Sequence, residues 1–123
     1  MVLNVVQGGI GVDNFKIIYK ILKYLENCMG QAEIDTTPLT AEALHVEQGK
    51  LDEILGMMLK NGYIEGAEAK YYVNSRTPVI LNLNRAKITL KGLEYLEENS
   101  MMKKVANHAL GLAEDIIKQN IQF

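Results

Sequence analysis

Five cations stand near one another in this chain: Lys70, Arg76, Arg85, Lys87 and Lys91, with no Asp or Glu between residues 69 and 91. The segment carries +5, which leaves −7 for the remainder of a chain whose net charge is −2. Cations grouped in this way can neutralise phosphates, and such an asymmetry points to an anionic partner on one face. Tyr71 and Tyr72 lie among them and are suited to pack on a sugar or a base. The chemistry this predicts is salt-sensitive, largely sequence-independent contact with double-stranded DNA.

Other chemistries lack their parts. A nucleophilic site needs a nucleophile, a base and an orienting group within hydrogen-bond reach. Cys28, His45 and His108 share no motif, and Cys28 reads as a small core residue. A metal site needs three or four clustered ligands, which one cysteine and two scattered histidines do not suggest. Glu97-Glu98 and Glu114-Asp115 are neighbours in sequence, so each pair points to different sides of a helix and reads as solvated charge. Gly8, Gly9 and Gly11 fit neither nucleotide-binding fingerprint. The chain is expected to be no enzyme, to carry no cofactor and to have no evident small-molecule ligand.

At 123 residues, 48% hydrophobic and 23% charged, the chain is one ordinary globular domain. The single cysteine cannot form an internal disulfide, which suits a reducing, cytoplasmic setting. No apolar run reaches about 18 residues, so no membrane span is expected. Residues 1–12 are apolar and glycine-rich but lack the basic leader of a secretory signal, and are expected as a loose leader or an added edge strand.

The elements that position the cations follow from periodicity. Phe15, Ile18, Tyr19, Leu22, Leu25 and Met29 recur at helical steps over residues 14–29, with Asp13 as the expected N-cap. A short second helix from residue 38 or 40 to 44 buries Leu39, Ala43 and Leu44, and a tight turn at His45-Val46 plugs Val46 into the core. The third helix spans residues 48–61, with Leu51, Ile54, Leu55, Met58 and Leu59 inward and Asn61-Gly62 as its stop. Two β-favouring runs, 70–73 and 79–83, flank the turn-rich segment 74–78 and predict a hairpin with a cationic tip. A third run, 85–88, leads to Thr89, which caps a fourth helix over residues 90–98 with Leu90, Leu93, Tyr95 and Leu96 inward. A last helix over residues 100–122 carries a seam of Met102, Val105, Ala109, Leu112 and Ile116. The fold class this implies is α+β, mostly α: a winged helix-turn-helix over residues 13–98 with a long additional C-terminal helix, 99–123, that packs on the domain or forms a homodimer.

A family resemblance supports that order. His45-Val46, then Leu51, Leu55 and Leu59, then Asn61-Gly62-Tyr63-Ile64, then the run Ile88-Thr89-Leu90-Lys91-Gly92-Leu93-Glu94-Tyr95-Leu96, resemble the YjcQ family, small winged-helix proteins of Gram-positive bacteria and their prophages. The resemblance covers residues 14–120. It implies the fold and supplies neither an activity nor catalytic residues. His45 departs from the glycine that winged-helix turns often carry.

In a DNA-binding winged helix the third helix enters the major groove and the wing touches phosphate or the minor groove. The candidate DNA contacts are then Gln48, Lys50 and Lys60 on the third helix and Lys70, Arg76, Arg85, Lys87 and Lys91 on and after the hairpin. Two features oppose this. Glu47, Asp52 and Glu53 repel phosphate, and Gly49 and Gly56, seven residues apart, form a smooth stripe suited to packing against the last helix or a second subunit. The leading expectation is a DNA-binding regulator or accessory protein of prophage type. The alternative is a protein-interaction module whose third helix is masked.

Overall fold

The computed structural model describes the backbone of residues 3–109 and the side chains of residues 14–100. It is an α+β structure, mostly helical, with two short antiparallel ladders. Helix α1 runs Leu3–Asn27, so the expected leader or edge strand is helical and Asp13 lies within the helix instead of capping it. Residues 3–13 contain no proline, and glycine weakens a helix by only about 1 kcal/mol without removing a hydrogen bond. The inward face of α1 is Ile17, Ile21, Leu22 and Leu25, with Cys28 buried just past its end. Phe15 and Met29, expected inside, are exposed. Apolar residues occupy two neighbouring stripes of this helix, and periodicity alone does not choose between them.

Residues 28–36 cross to the next elements. Ile34 is buried and donates its N–H to the Asn84 carbonyl at 2.9 Å, while the Tyr24 hydroxyl donates to the Asp35 carbonyl at 2.6 Å. A 3-10 turn, Thr37–Leu39, buries Leu39, and helix α2, Ala41–Leu44, follows. Thr40 caps α2, its hydroxyl accepting the Ala43 N–H at 3.1 Å. Ala43 is exposed and Leu44 buried. His45 takes φ 56°, ψ 48°, the left-handed conformation a glycine adopts easily, so the turn keeps its shape without one. Val46 is half-buried against the core.

Helix α3, Gln48–Lys60, buries Leu51, Ile54, Leu55, Gly56 and Met58. Beyond it the chain forms one long hairpin in two registers. Strand β1, Ile64–Glu65, pairs with β4, Lys87–Ile88; strand β2, Glu68–Lys70, pairs with β3, Val79–Leu81. Between the ladders, Gly66 and Ala67 on the outgoing arm face residues 82–86 on the returning arm, where a 3-10 turn, Leu83–Arg85, takes up the excess. Asn82 enters that turn at φ 58°. Gly66, at φ 94°, lies so close to the Arg85 carbonyl that a Cβ would collide with it. The outgoing strand ends at Lys70, so the run expected to be paired, 70–73, is largely outside the ladder.

Helix α4 is continuous from Leu90 to Ala109. The two helices expected here, with a boundary at residues 98–99, are one. Asn99 and Ser100 lie within it, their side chains donating back to the Tyr95 and Glu97 carbonyls at 2.8 and 3.0 Å. Thr89 caps its start, accepting the Gly92 N–H and donating to the Gly62 and Tyr63 carbonyls. Leu96 is buried and Leu93 and Tyr95 half-buried, but Leu90, expected inward, is exposed. The core thus joins α1, α3, the root of the hairpin and the start of α4. Met102, Val105 and Ala109 lie on the α4 backbone, but their side chains, with Leu112 and Ile116 entirely, fall outside the described residues.

Candidate binding surface

The hairpin is seated on α3. Both β2 and β3 pack on that helix, and the contact is made where α3 has no side chain. A Cβ on Gly56 would lie 2.7 Å from the Tyr71 hydroxyl and 2.9 Å from Cγ of Pro78, which is buried. A Cβ on Gly49 would meet Thr77 Cγ2 at 3.9 Å. Gly56 is therefore packed under the chain's own hairpin, and half-buried Gly49 lies at the edge of that contact.

The rest of α3 stays open in part. Glu47, Gln48, Glu53, Met57 and Lys60 are exposed, and Lys50 and Asp52 half-buried. Gln48 donates to Asp52 at 2.8 Å, so its amide is engaged within the helix. Lys50, Glu53, Met57 and Lys60 recur at steps of three and four and make one stripe: two cations, one anion and one thioether.

The cations of the hairpin do not form one face. Lys70 ends β2, and Arg76 lies in the exposed tip. Arg85, in the turn that makes the register change, and Lys87, just beyond it in β4, lie at the root, where they border a hollow with Glu65, Gly66 and Ala32. Lys91 is committed to the fold: its ammonium donates to the Asn61 carbonyl at the end of α3, at 2.9 Å, and stands 4.9 Å from the Tyr63 ring centre. The acid-free stretch is a property of the sequence window. The folded hairpin places Glu65 opposite Lys87 and Glu68 on the same side of β2 as Lys70. Four cations and two anions remain over residues 64–88, for +2.

Apolar exposure is the stronger feature of this face. Tyr71, Tyr72, Val73 and Val79 are exposed on the distal hairpin, Val73 to 89%, and Met57 is exposed on α3 beside the covered Gly56. Between them Gly56, Leu59, Lys60, Ala69 and Tyr71 line an open groove of about 440 Å³. The sequence presents Tyr71 and Tyr72 as strand residues that also suit sugar or base, while Val73, Val79 and Met57 belong to no expected site. The signal was present: Tyr71-Tyr72-Val73 has no polar alternation, so a two-stranded ladder with one face on α3 cannot bury all three.

Among the described residues no group of three His, Cys, Asp or Glu side chains is placed to hold a metal ion, and no helix is long and apolar enough to cross a membrane. Cys28 is buried at the end of α1, and His45 serves as the α2 turn.

These features define a small α+β domain that lays a hairpin along its third helix. The YjcQ family model, described as "YjcQ protein", matches residues 19–115, from the first helix through the hairpin and into the residues beyond α4, and the chain belongs to that family. No curated protein and no solved structure matches it.

Proposed function

We propose that the chain is a non-enzymatic winged helix that binds a partner protein through the distal hairpin and the adjoining side of α3. The element order supports the fold reading: α1, the α2–turn–α3 pair, then a hairpin lying against α3, then α4. One observation carries the function: of the eight large hydrophobic residues exposed among those described, four, Tyr71, Tyr72, Val73 and Val79, lie on the distal hairpin and a fifth, Met57, on the helix that the hairpin packs against. Exposed apolar clusters of this kind mark interaction sites. Tyr, Met and Arg at such a cluster are the residue types that anchor protein interfaces. Lys60, Lys70 and Arg76 border the cluster against Glu53 and Glu68, three cations to two anions, so the partner segment is apolar at its centre with a small excess of acid at its edge.

Duplex DNA is the second reading, favoured by the exposed Lys70 and Arg76 beside two tyrosines. It is the weaker one. Lys91 is bonded to the end of α3, Arg85 and Lys87 are at the other end of the hairpin, and Glu47 and Glu53 stand open on α3.

A random peptide library panned on the chain and on a Tyr71→Ser/Tyr72→Ser/Val73→Ser variant tests the proposal. Acidic, aromatic-containing peptides should enrich on the parent chain alone. Enrichment that survives the substitutions, or basic peptides in place of acidic ones, rejects the reading. A shift assay with random duplex at about 50 mM salt reads the alternative, since phosphate contacts are strong there. Retention that Lys70→Glu/Arg76→Glu removes transfers the site to DNA.

A further inference from the structure

A second site lies away from this face, where the end of α1 approaches β4. Leu25, Cys28, Ala86 and Ile88, all buried, floor a groove of about 350 Å³, with Met29, Ala32 and Lys87 on its lips. A hollow of about 410 Å³ shares Ala32 and Lys87 with it and continues past Gly66 to Arg85 and Glu65. The groove is open because residues 28–36 reach the returning hairpin arm through Ile34 and Asn84, and β1 is the strand that pairs with β4. Arg85 and Lys87 are both exposed at its rim, and among the described residues the ion pair is Lys23–Glu26, elsewhere on α1. Glu65, opposite Lys87 in the ladder, is the one acid in the lining and leaves it a net positive charge.

We infer that this groove binds a small amphiphile with one anionic head, a medium-chain carboxylate. Its alkyl chain lies along Met29 and Ala32, above the closed floor of Leu25, Cys28 and Ile88, and its head lies between Lys87 and Arg85. An apolar floor with a few placed polar groups is the usual composition of a small-molecule site, and the volume falls in the range of such sites. The orientation follows from α1. The carbonyls of its last turn carry partial negative charge, which repels an anion and leaves that end of the groove to the alkyl chain. At the other end the two cations complement the head and Glu65 limits it to a single charge. The site is independent of the hairpin ridge, from which it shares no lining residue.

Octanoate is the probe and octanol its neutral control, titrated into isotopically labelled protein and followed by amide shifts. Octanoate should shift Cys28, Ala32, Lys87 and Ile88 and bind roughly five-fold or more tighter than octanol, the worth of a partly screened ion pair. Ala32→Trp, at an exposed position shared by both hollows, should fill the groove and abolish these shifts. Arg85→Glu/Lys87→Glu should bring the two probes to equal affinity. Both variants alter exposed side chains, and unchanged amide positions elsewhere confirm that they fold. Equal binding of the two probes to the parent chain overturns the inference. So do shifts confined to Tyr71 and Tyr72, or undiminished octanoate binding in Ala32→Trp.

Discussion

At its root the hairpin buries Ile64, Ala67, Ala86 and Ile88 against α1, α3 and α4; further out, the same two arms leave Tyr71, Tyr72, Val73 and Val79 in water. The root is bound on several sides. Thr89 bonds the Gly62 and Tyr63 carbonyls, Lys91 holds the end of α3, and Gly92 sits where a Cβ would be 2.5 Å from the Tyr63 carbonyl oxygen. The distal half touches the domain chiefly along a stripe of α3. The change of register between the ladders separates the two uses. Apolar residues at the root are buried in the core, whereas those of the distal half stay in water, as the proposed partner surface requires.

Substitutions in the two halves should therefore differ sharply in what they change. Ile64→Ala, at a position 1% exposed, should cost about 3 kcal/mol in urea unfolding, as for other large-to-small changes in a core. A loss under about 1 kcal/mol would mean that the root is not part of the core. Gly66→Ala should cost about 2 kcal/mol, because it adds a left-handed non-glycine residue and a clash with the Arg85 carbonyl. Gly56→Ala combines opposed terms. Alanine favours the helix by about 1 kcal/mol, but its methyl group must displace the Tyr71 hydroxyl and the buried Pro78. Tyrosine can swing away at little cost and proline cannot, so a net loss of about 1 kcal/mol is expected, together with weaker peptide binding. Unchanged binding would separate the ridge from the seating of the hairpin.

The triple serine variant at residues 71–73 should alter stability by no more than about 0.5 kcal/mol while weakening the peptide interaction at least about ten-fold. A large loss of stability would instead make the distal half part of the core and end the comparison.

The smallest effect lies in the segment between α1 and α2. Asp35 accepts the Thr37 N–H and hydroxyl, which hold its carboxyl below the ordinary value of 3.8, the backbone bond more than the side-chain one. A depressed carboxyl stabilises the fold above the unfolded value and loses that contribution as pH falls through the folded one. Asp35→Asn should flatten the stability curve below about pH 4 and leave it unchanged in shape near neutrality. An acid limb as steep as the parent's would show that Asp35 does not contribute to it.

Local chemistry decided much of this protein in advance. The third helix and its stop at Asn61-Gly62, the Thr40 and Thr89 caps, the inward Leu51, Ile54, Leu55 and Met58, and a hairpin with an exposed Arg76 at its tip all follow from residues within a turn or two of one another. So does the family match, whose motifs lie in those same stretches. What depends on distant parts of the chain was settled only by folding. Which of two apolar stripes α1 turns inward is set by its neighbours. The covering of Gly56 by Tyr71 and Pro78 joins residues far apart in sequence, as does the diversion of Lys91 to the end of α3. The cations illustrate the reason most clearly. Their spacing along the chain suggested one basic face, but a register change and one ion–carbonyl bond distributed them over three places, because sequence fixes charge while only packing fixes the direction in which it points.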